Sequence, residues 1–237
     1  MPALLDRHRP RRPDGRRRQA FARSDFDAQL AGQTVSIDLL ETSLGLSASV
    51  CAAGLDAQVA AGAAAFRHHP FFHGEAAYLL SALRQVCGPL GRQARLTVDG
   101  EVLEENILMC AACNTRDYGG GFRAAPLAEP GDGLLDLVVV RRMSRLTLLR
   151  LLNLYKQGRH FAGGQVAPEV ARYILYRRAR QVTVELTDGR GPITATADGE
   201  CAEVSRLEIR LAPLAARVIL PAAVCRRQHA AARQATV

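Results

Sequence analysis

The sequence predicts a mainly β (α+β) fold, a two-layer β-sandwich of short strands with about three inserted helices. Three observations lead there. Short apolar runs separated by Gly, Pro and Asp turn signals recur from Val35 to Pro221. Only three segments carry helical spacing. An Asp-Gly pair joins two of the runs directly, the strongest short signal for a hairpin. Elements of this kind bury their apolar faces best as packed sheets.

Taken in order, Val35, Ile37 and Leu39 alternate with polar residues, which predicts a half-buried strand with those three facing inward. Residues 44–53 predict a second, more buried strand. The alanine-rich stretch 55–66 predicts a helix, with Asp56 favourable in its first turn. Residues 73–86 predict a second helix, stopped by Gly88-Pro89. Residues 94–98 and 102–113 flank Asp99-Gly100 as a hairpin. Leu134 to Val140 is apolar except for Asp136 and predicts a buried strand. Ser144 is placed to cap a helix over 145–156, and Gly158 follows it. Strands are predicted over 173–176, 181–186, 193–197, 205–211 and 217–220.

The chain has 237 residues, a formal charge of +8 and 48% hydrophobic content. The charge sits at the ends. Residues 1–23 hold eight arginines against Asp6 and Asp14, and residues 226–237 hold Arg226, Arg227 and Arg233 with no acid. The body is close to neutral, which argues against a nucleic-acid-binding face. The predicted organisation is a basic tail over 1–33, a folded domain over 34–222 and a second basic tail over 223–237. The first tail lacks the apolar stretch of a secretory signal, and no window is apolar enough for a membrane span. Such tails suit association with an anionic membrane surface.

Six cysteines show no disulfide-framework spacing, so a reducing, cytoplasmic setting is expected, with the protein peripheral to the membrane if the tails engage it. Cys110 and Cys113 lie in a predicted strand, where residues three apart point to opposite faces, so the pair is not read as a metal site. Pro70 likewise keeps His69 and His73 from one helical face.

Residues 114–136, N-T-R-D-Y-G-G-G-F-R-A-A-P-L-A-E-P-G-D-G-L-L-D, are the most informative stretch. Gly119, Gly120 and Gly121 allow close backbone approach or positive φ. Gly131-Asp132-Gly133 presents a carboxylate at the mouth of the buried strand, a placement suited to a general base. The same carboxylate could simply close an Asx-type turn.

This segment resembles the substrate-side, C-terminal domain of the diacylglycerol kinase-like and sphingosine kinase-like lipid kinases, which are related to the NAD kinases. The resemblance extends in order through Val35-Ser36-Ile37-Asp38-Leu39, the turn Gly54-Leu55-Asp56-Ala57, the helix at 77–83, Asp198-Gly199-Glu200 and the closing strands from Leu207 to Pro221. It implies ATP- and Mg²⁺-dependent phosphoryl transfer to the hydroxyl of diacylglycerol or a similar lipid. By the same resemblance Asp132 is the base. Asn114, Gly119, Gly120, Gly121, Asp198 and Glu200 lie toward the nucleotide, and Asp136 and Glu200 are candidate Mg²⁺ ligands.

The chain departs from the family at several points. The G-G-D-G-T phosphate loop and the P-L-G-T-x-N-D segment of the nucleotide-binding half do not occur in it. Lys156 is its only lysine, and no G-x-x-x-x-G-K-[ST] loop is present. Gly131 stands where the family often has an additional acid, and Ser47-Ala48-Ser49-Val50 lacks the usual asparagine. A partner chain supplying the nucleotide-binding half is therefore expected if the chain is catalytic. The alternative is a non-catalytic lipid-binding or regulatory domain derived from such a kinase. A sugar- or dinucleotide-kinase relative is a third reading.

Overall fold

The computed structural model describes residues 31–65 and 75–220. The segment His68–Glu75 falls almost wholly outside them, as do most of the two basic tails. The chain divides into two units, Val35–Val218 and one made of Met1–Thr34 with Ile219–Val237. The sheet and its helices lie essentially in the first.

The architecture is mostly β, as the sequence predicts. The strands are β1 (Gln33–Thr42), β2 (Gly45–Ser47), β3 (Val50–Gly54), β4 (Arg92–Val98), β5 (Glu101–Cys113), β6 (Leu135–Arg141), β7 (Phe161–Ala162), β8 (Gln165–Val166), β9 (Ile174–Ala179), β10 (Gln181–Leu186), β11 (Ile193–Ala197), β12 (Glu200–Val204) and β13 (Arg206–Leu220). Three helices are described: α1 (Leu55–Ala65), α2 (Glu75–Cys87) and α3 (Arg145–Lys156). Eleven strands form one curled sheet in the order β12-β11-β3-β5-β4-β10-β13-β1-β2, with β6 joining β5 to β9. The pairings with resolved register are antiparallel.

β5 organises the sheet. Its first half pairs with β4, and its second half is flanked by β3 and β6. Alternation then sends successive side chains into two cores. Cys110, Ala112, Leu135, Leu137 and Val139 enter the inner core with Leu96, Val182, Val184, Leu207 and Ile209. Met109, Ala111, Cys113, Val138 and Val140 enter the outer core, against Leu148 and Tyr155 of α3 and the loop residues Ala124, Ala125 and Ala128. Cys110 and Cys113 accordingly face opposite ways. Burial pushes the Cys110 thiol up to about 12, so it carries no thiolate at neutral pH.

The Asp99-Gly100 hairpin forms as expected, with positive φ at both residues (46° and 90°). Helix α3 also matches its expected limits, and Ser144 Oγ accepts from the Thr147 N–H at 3.2 Å. The other segments differ in instructive ways. The predicted strand over 44–53 is two strands, broken at Ala48-Ser49. The strands expected over 205–211 and 217–220 are one, β13, which continues through Pro213 with Leu214 at φ 51°. β12 and the small β7–β8 pair carry too little apolar pattern to be read from sequence. In β1 the expected inward face is reversed: Asp38 and Leu40 are fully buried, while Val35, Ile37 and Leu39 are only partly covered.

Candidate functional site

The strand registers bring most of the predicted site residues to one end of the sheet. Asp136 at the start of β6 lies opposite Arg178 of β9 on one side and Cys113 of β5 on the other. Cys113 lies opposite Val50 of β3, whose carbonyl accepts the Asp198 N–H at 3.0 Å. Arg178, Asp136, Cys113, Val50 and Asp198 thus form a row across the strand ends, with Asn114 directly after Cys113.

Asp132 is held over this row by its glycines and by a buried carboxylate. Gly131 and Gly133 take φ of 116° and 77°, which side chains rarely adopt. Their N–H groups both donate to Asp38 Oδ2, at 3.1 and 2.9 Å, and the Leu214 N–H donates to Asp38 Oδ1 at 2.7 Å. Asp38 is fully buried, so three backbone donors around one carboxylate fix the turn strongly. The Asp132 carboxylate itself accepts from the Leu134 N–H at 3.0 Å, an Asx-type closure, and pairs with the Arg178 guanidinium. Its side chain remains about a quarter exposed (23%). Desolvation raises its pKa, and Arg178 opposes that rise.

Asp136 is fully buried and interacts electrostatically with Asp132 and Arg178. Tyr176 donates its hydroxyl to Asp136 Oδ1 at 2.5 Å, while Oδ2 has no hydrogen-bond partner. Burial pushes the Asp136 carboxyl up to about 6, against the lowering effect of Tyr176 and Arg178. The two acids, the arginine and the tyrosine form one polar cluster. A carboxylate with raised pKa beside a cation is suited to accept a proton from a hydroxyl near neutral pH.

Asn114 is a brace. Its amide nitrogen donates to Asp38 O (2.7 Å) and Ala48 O (3.0 Å), and its buried Oδ1 is left without a partner. Asp198 occupies the first position of the β11–β12 hairpin turn, at φ 48°, with Gly199 at 97°. Its carboxylate accepts from the N–H groups of Ala48 (2.6 Å), Ser49 (3.1 Å) and Val50 (3.0 Å). That capture is what breaks the predicted strand over 44–53. Gly119–Gly121 form a single 3₁₀ turn between Tyr118 and Phe122, with Gly121 at φ 71°. A row of rings (Phe122, Tyr155, His160, Phe161, Tyr176) runs from this turn to the hydroxyl on Asp136, with centroids 4.6–6.2 Å apart.

The expected metal ligands Asp136 and Glu200 stand on different strands of the sheet. From Asp136 to Glu200 the path runs β6–β5–β3–β11–β12, four strand steps or about 19 Å along the sheet. Asp198 spends its oxygens on backbone donors, and among the described residues no three His, Cys, Asp or Glu side chains converge as a metal would require. Among the described residues, then, no ready-made side-chain cage for Mg²⁺ is present.

Three participants escape sequence reasoning. Alternation assigned Asp38 to solvent, and only its φ-positive glycine partners betray the need for an acceptor. Tyr176 and Arg178 belong to a strand whose register against β6 is a tertiary fact.

Residues 49–220 match the family model described as the YegS C-terminal NAD kinase beta sandwich-like domain. The chain belongs to this family. Proteins named as lipid kinases are among its relatives. A diacylglycerol kinase of Mycobacterium tuberculosis (strain CDC 1551 / Oshkosh) is 32% identical over 150 residues, covering 63% of this chain and 45% of that protein. Human sphingosine kinase 2 is 34% identical over 126 residues, covering 53% and 18% respectively. The crystal structure of a proposed diacylglycerol kinase from Bacillus anthracis superposes with a TM-score of 0.58 at 20% identity, covering 81% of this chain and 58% of that one, which establishes the fold. The chain spans about half the length of the Mycobacterium relative. Among its described residues no helix is long and apolar enough to cross a membrane.

Proposed function

We propose that this chain is the acceptor-side domain of an ATP-dependent lipid kinase, with Asp132 as the base toward a diacylglycerol-like hydroxyl. The observation that carries this reading is the pinned Gly131-Asp132-Gly133 turn, which holds a partly exposed carboxylate against Arg178 and in electrostatic interaction with the buried Asp136.

Transfer of a γ-phosphoryl group asks for in-line positioning, a proton acceptor and cations near the developing charge. In this reading the acceptor hydroxyl approaches Asp132 from the solvent side, and the carboxylate takes its proton as the oxygen attacks phosphorus. Arg178 holds Asp132 in place and supplies positive charge beside it. Asp136 and Tyr176 form the buried support. ATP is held by a nucleotide-binding segment carrying the G-G-D-G-T loop, which this sequence lacks, and Mg²⁺ arrives with its phosphates. That segment is supplied by a partner chain or by further sequence of the same protein. The experiment is transfer of labelled phosphate from ATP to diacylglycerol by the chain combined with such a segment. Asp132→Asn should lower turnover by about 10²–10⁴-fold; unchanged turnover would sink the assignment.

A second reading, a non-catalytic lipid-binding or regulatory domain, draws on a specific feature. Asp198, expected toward the nucleotide, is consumed as a backbone acceptor. Lipid binding that needs no nucleotide, with no transfer in any reconstitution, would favour it.

A further inference from the structure

Helix α3 carries an apolar stripe on the wrong side for packing. Its inward face is formed by Leu148 and Tyr155, both buried in the outer core. Yet Leu146, Leu149 and Leu152 are 69%, 56% and 41% exposed. At 100° per residue, Leu146 and Leu149 flank Asn153 on the outward face, with Arg150 to one side and Lys156 and Leu152 to the other. The helix contains no acidic residue.

The surroundings are one-sided in charge too. Arg142 and Arg150 make no ion pair with another described residue. At the start of the helix an open cavity of about 610 Å³ is lined by Arg142, Arg145, Arg190 and Leu146. The acid in its wall, Asp188, is already claimed by Arg92 and Arg190 at 2.6–2.8 Å. Exposed leucines beside Arg142 and Arg150, which have no ion pair among the described residues, fit the boundary between the acyl chains and the phosphates of an anionic bilayer. A protein partner with an apolar groove would satisfy the leucines but leave the cations without counter-charge.

We propose that α3 is an interfacial docking helix. It seats the domain on an anionic lipid surface, with Leu146, Leu149 and Leu152 at the acyl boundary and Arg142, Arg150 and Lys156 at the phosphates. The C-terminal end of the helix holds the glycine segment: the Arg123 N–H donates to Lys156 O at 3.1 Å, and Lys156 Nζ lies 5.4 Å from the Phe122 ring centre. Docking therefore brings the Gly119–Gly121 turn to the surface as well. The inference stands apart from phosphoryl transfer, since it concerns binding without nucleotide, and it is distinct from any pull exerted by the basic tails.

The chain has no tryptophan, so Leu149→Trp places a single reporter on the stripe and Val102→Trp, 56% exposed on β5, gives a control. On phosphatidylglycerol vesicles the Leu149→Trp emission should shift to the blue and be quenched by brominated acyl chains, while that of Val102→Trp should not. In the otherwise native chain, Leu146→Gln with Leu149→Gln should weaken partitioning by about ten- to a hundred-fold. Binding with an unshifted Leu149→Trp signal would assign the membrane contact to the tails and overturn the proposal. So would a blue-shifted signal without vesicles: one that grows with protein concentration means a second copy covers the stripe, and one that does not means a segment of the same chain does.

Discussion

Replacing Asp136 by asparagine should make the protein more stable at neutral pH, by an amount that the burial of this carboxyl sets. Its ordinary value of 3.8 rises to about 6 in the folded state. Between these values the unfolded chain has released the proton and the folded chain has kept it, so stability falls as pH rises through the window. At 1.36 kcal/mol per unit, the full cost above pH 6 is about 3 kcal/mol. Asparagine removes the titration and can still accept the Tyr176 hydroxyl through its carbonyl oxygen. Its amide nitrogen would inherit a position where Oδ2 has no partner, at a cost of about 1 kcal/mol. The net expectation is a variant about 1–2 kcal/mol more stable than the native chain at about pH 8, and about 1 kcal/mol less stable at about pH 3. Urea unfolding of both proteins across this range measures the difference, in which titrating groups that do not interact with Asp136 cancel. A difference constant to within about 0.5 kcal/mol at every pH would refute the burial argument.

Three further outcomes follow from the same geometry. Asp38→Ala strips three buried N–H groups of a charged acceptor and should cost about 3 kcal/mol, read as a fall in the urea midpoint. Gly54→Ala puts a Cβ 2.6 Å from the Leu108 carbonyl oxygen at φ 94°, so β3 must part from β5; a loss of about 2–4 kcal/mol is expected by thermal melting, and a neutral result would contradict the close approach. Arg178→Gln removes the cation that opposes desolvation at both acids, so carboxyl titrations followed by NMR should move Asp132 and Asp136 upward together. Movement of one acid alone would show that the cluster is not shared.

Much of the fold was legible because its signals are local. The Asp99-Gly100 turn, the Ser144 cap and the uninterrupted run from Leu137 to Val140 each act within a few residues, and each element formed where it was expected. What could not be read depends on distant groups. The break at Ala48-Ser49 is made by a carboxylate 150 residues away, and nothing in the apolar pattern records it. The inversion of β1 has the same origin: a buried aspartate is unfavourable until Gly131, Gly133 and Leu214 arrive to hydrogen-bond it. In the candidate site, Asp132 and Asp136 were visible from the glycine turn and the strand it precedes. Their partners Arg178 and Tyr176 were not, because pairing between β6 and β9 decides them.

Asp132 is proposed above as the base of a lipid-phosphorylating site. Phosphate transfer from ATP to diacylglycerol by the chain together with a nucleotide-binding half tests it most directly, with native and Asp132→Asn proteins compared at equal folded concentration. Product formation by the native chain is expected, with a loss of about 10²–10⁴-fold in the variant. Equal rates for the two would contradict it, as would a native chain that binds the lipid and the nucleotide-binding half yet transfers no phosphate.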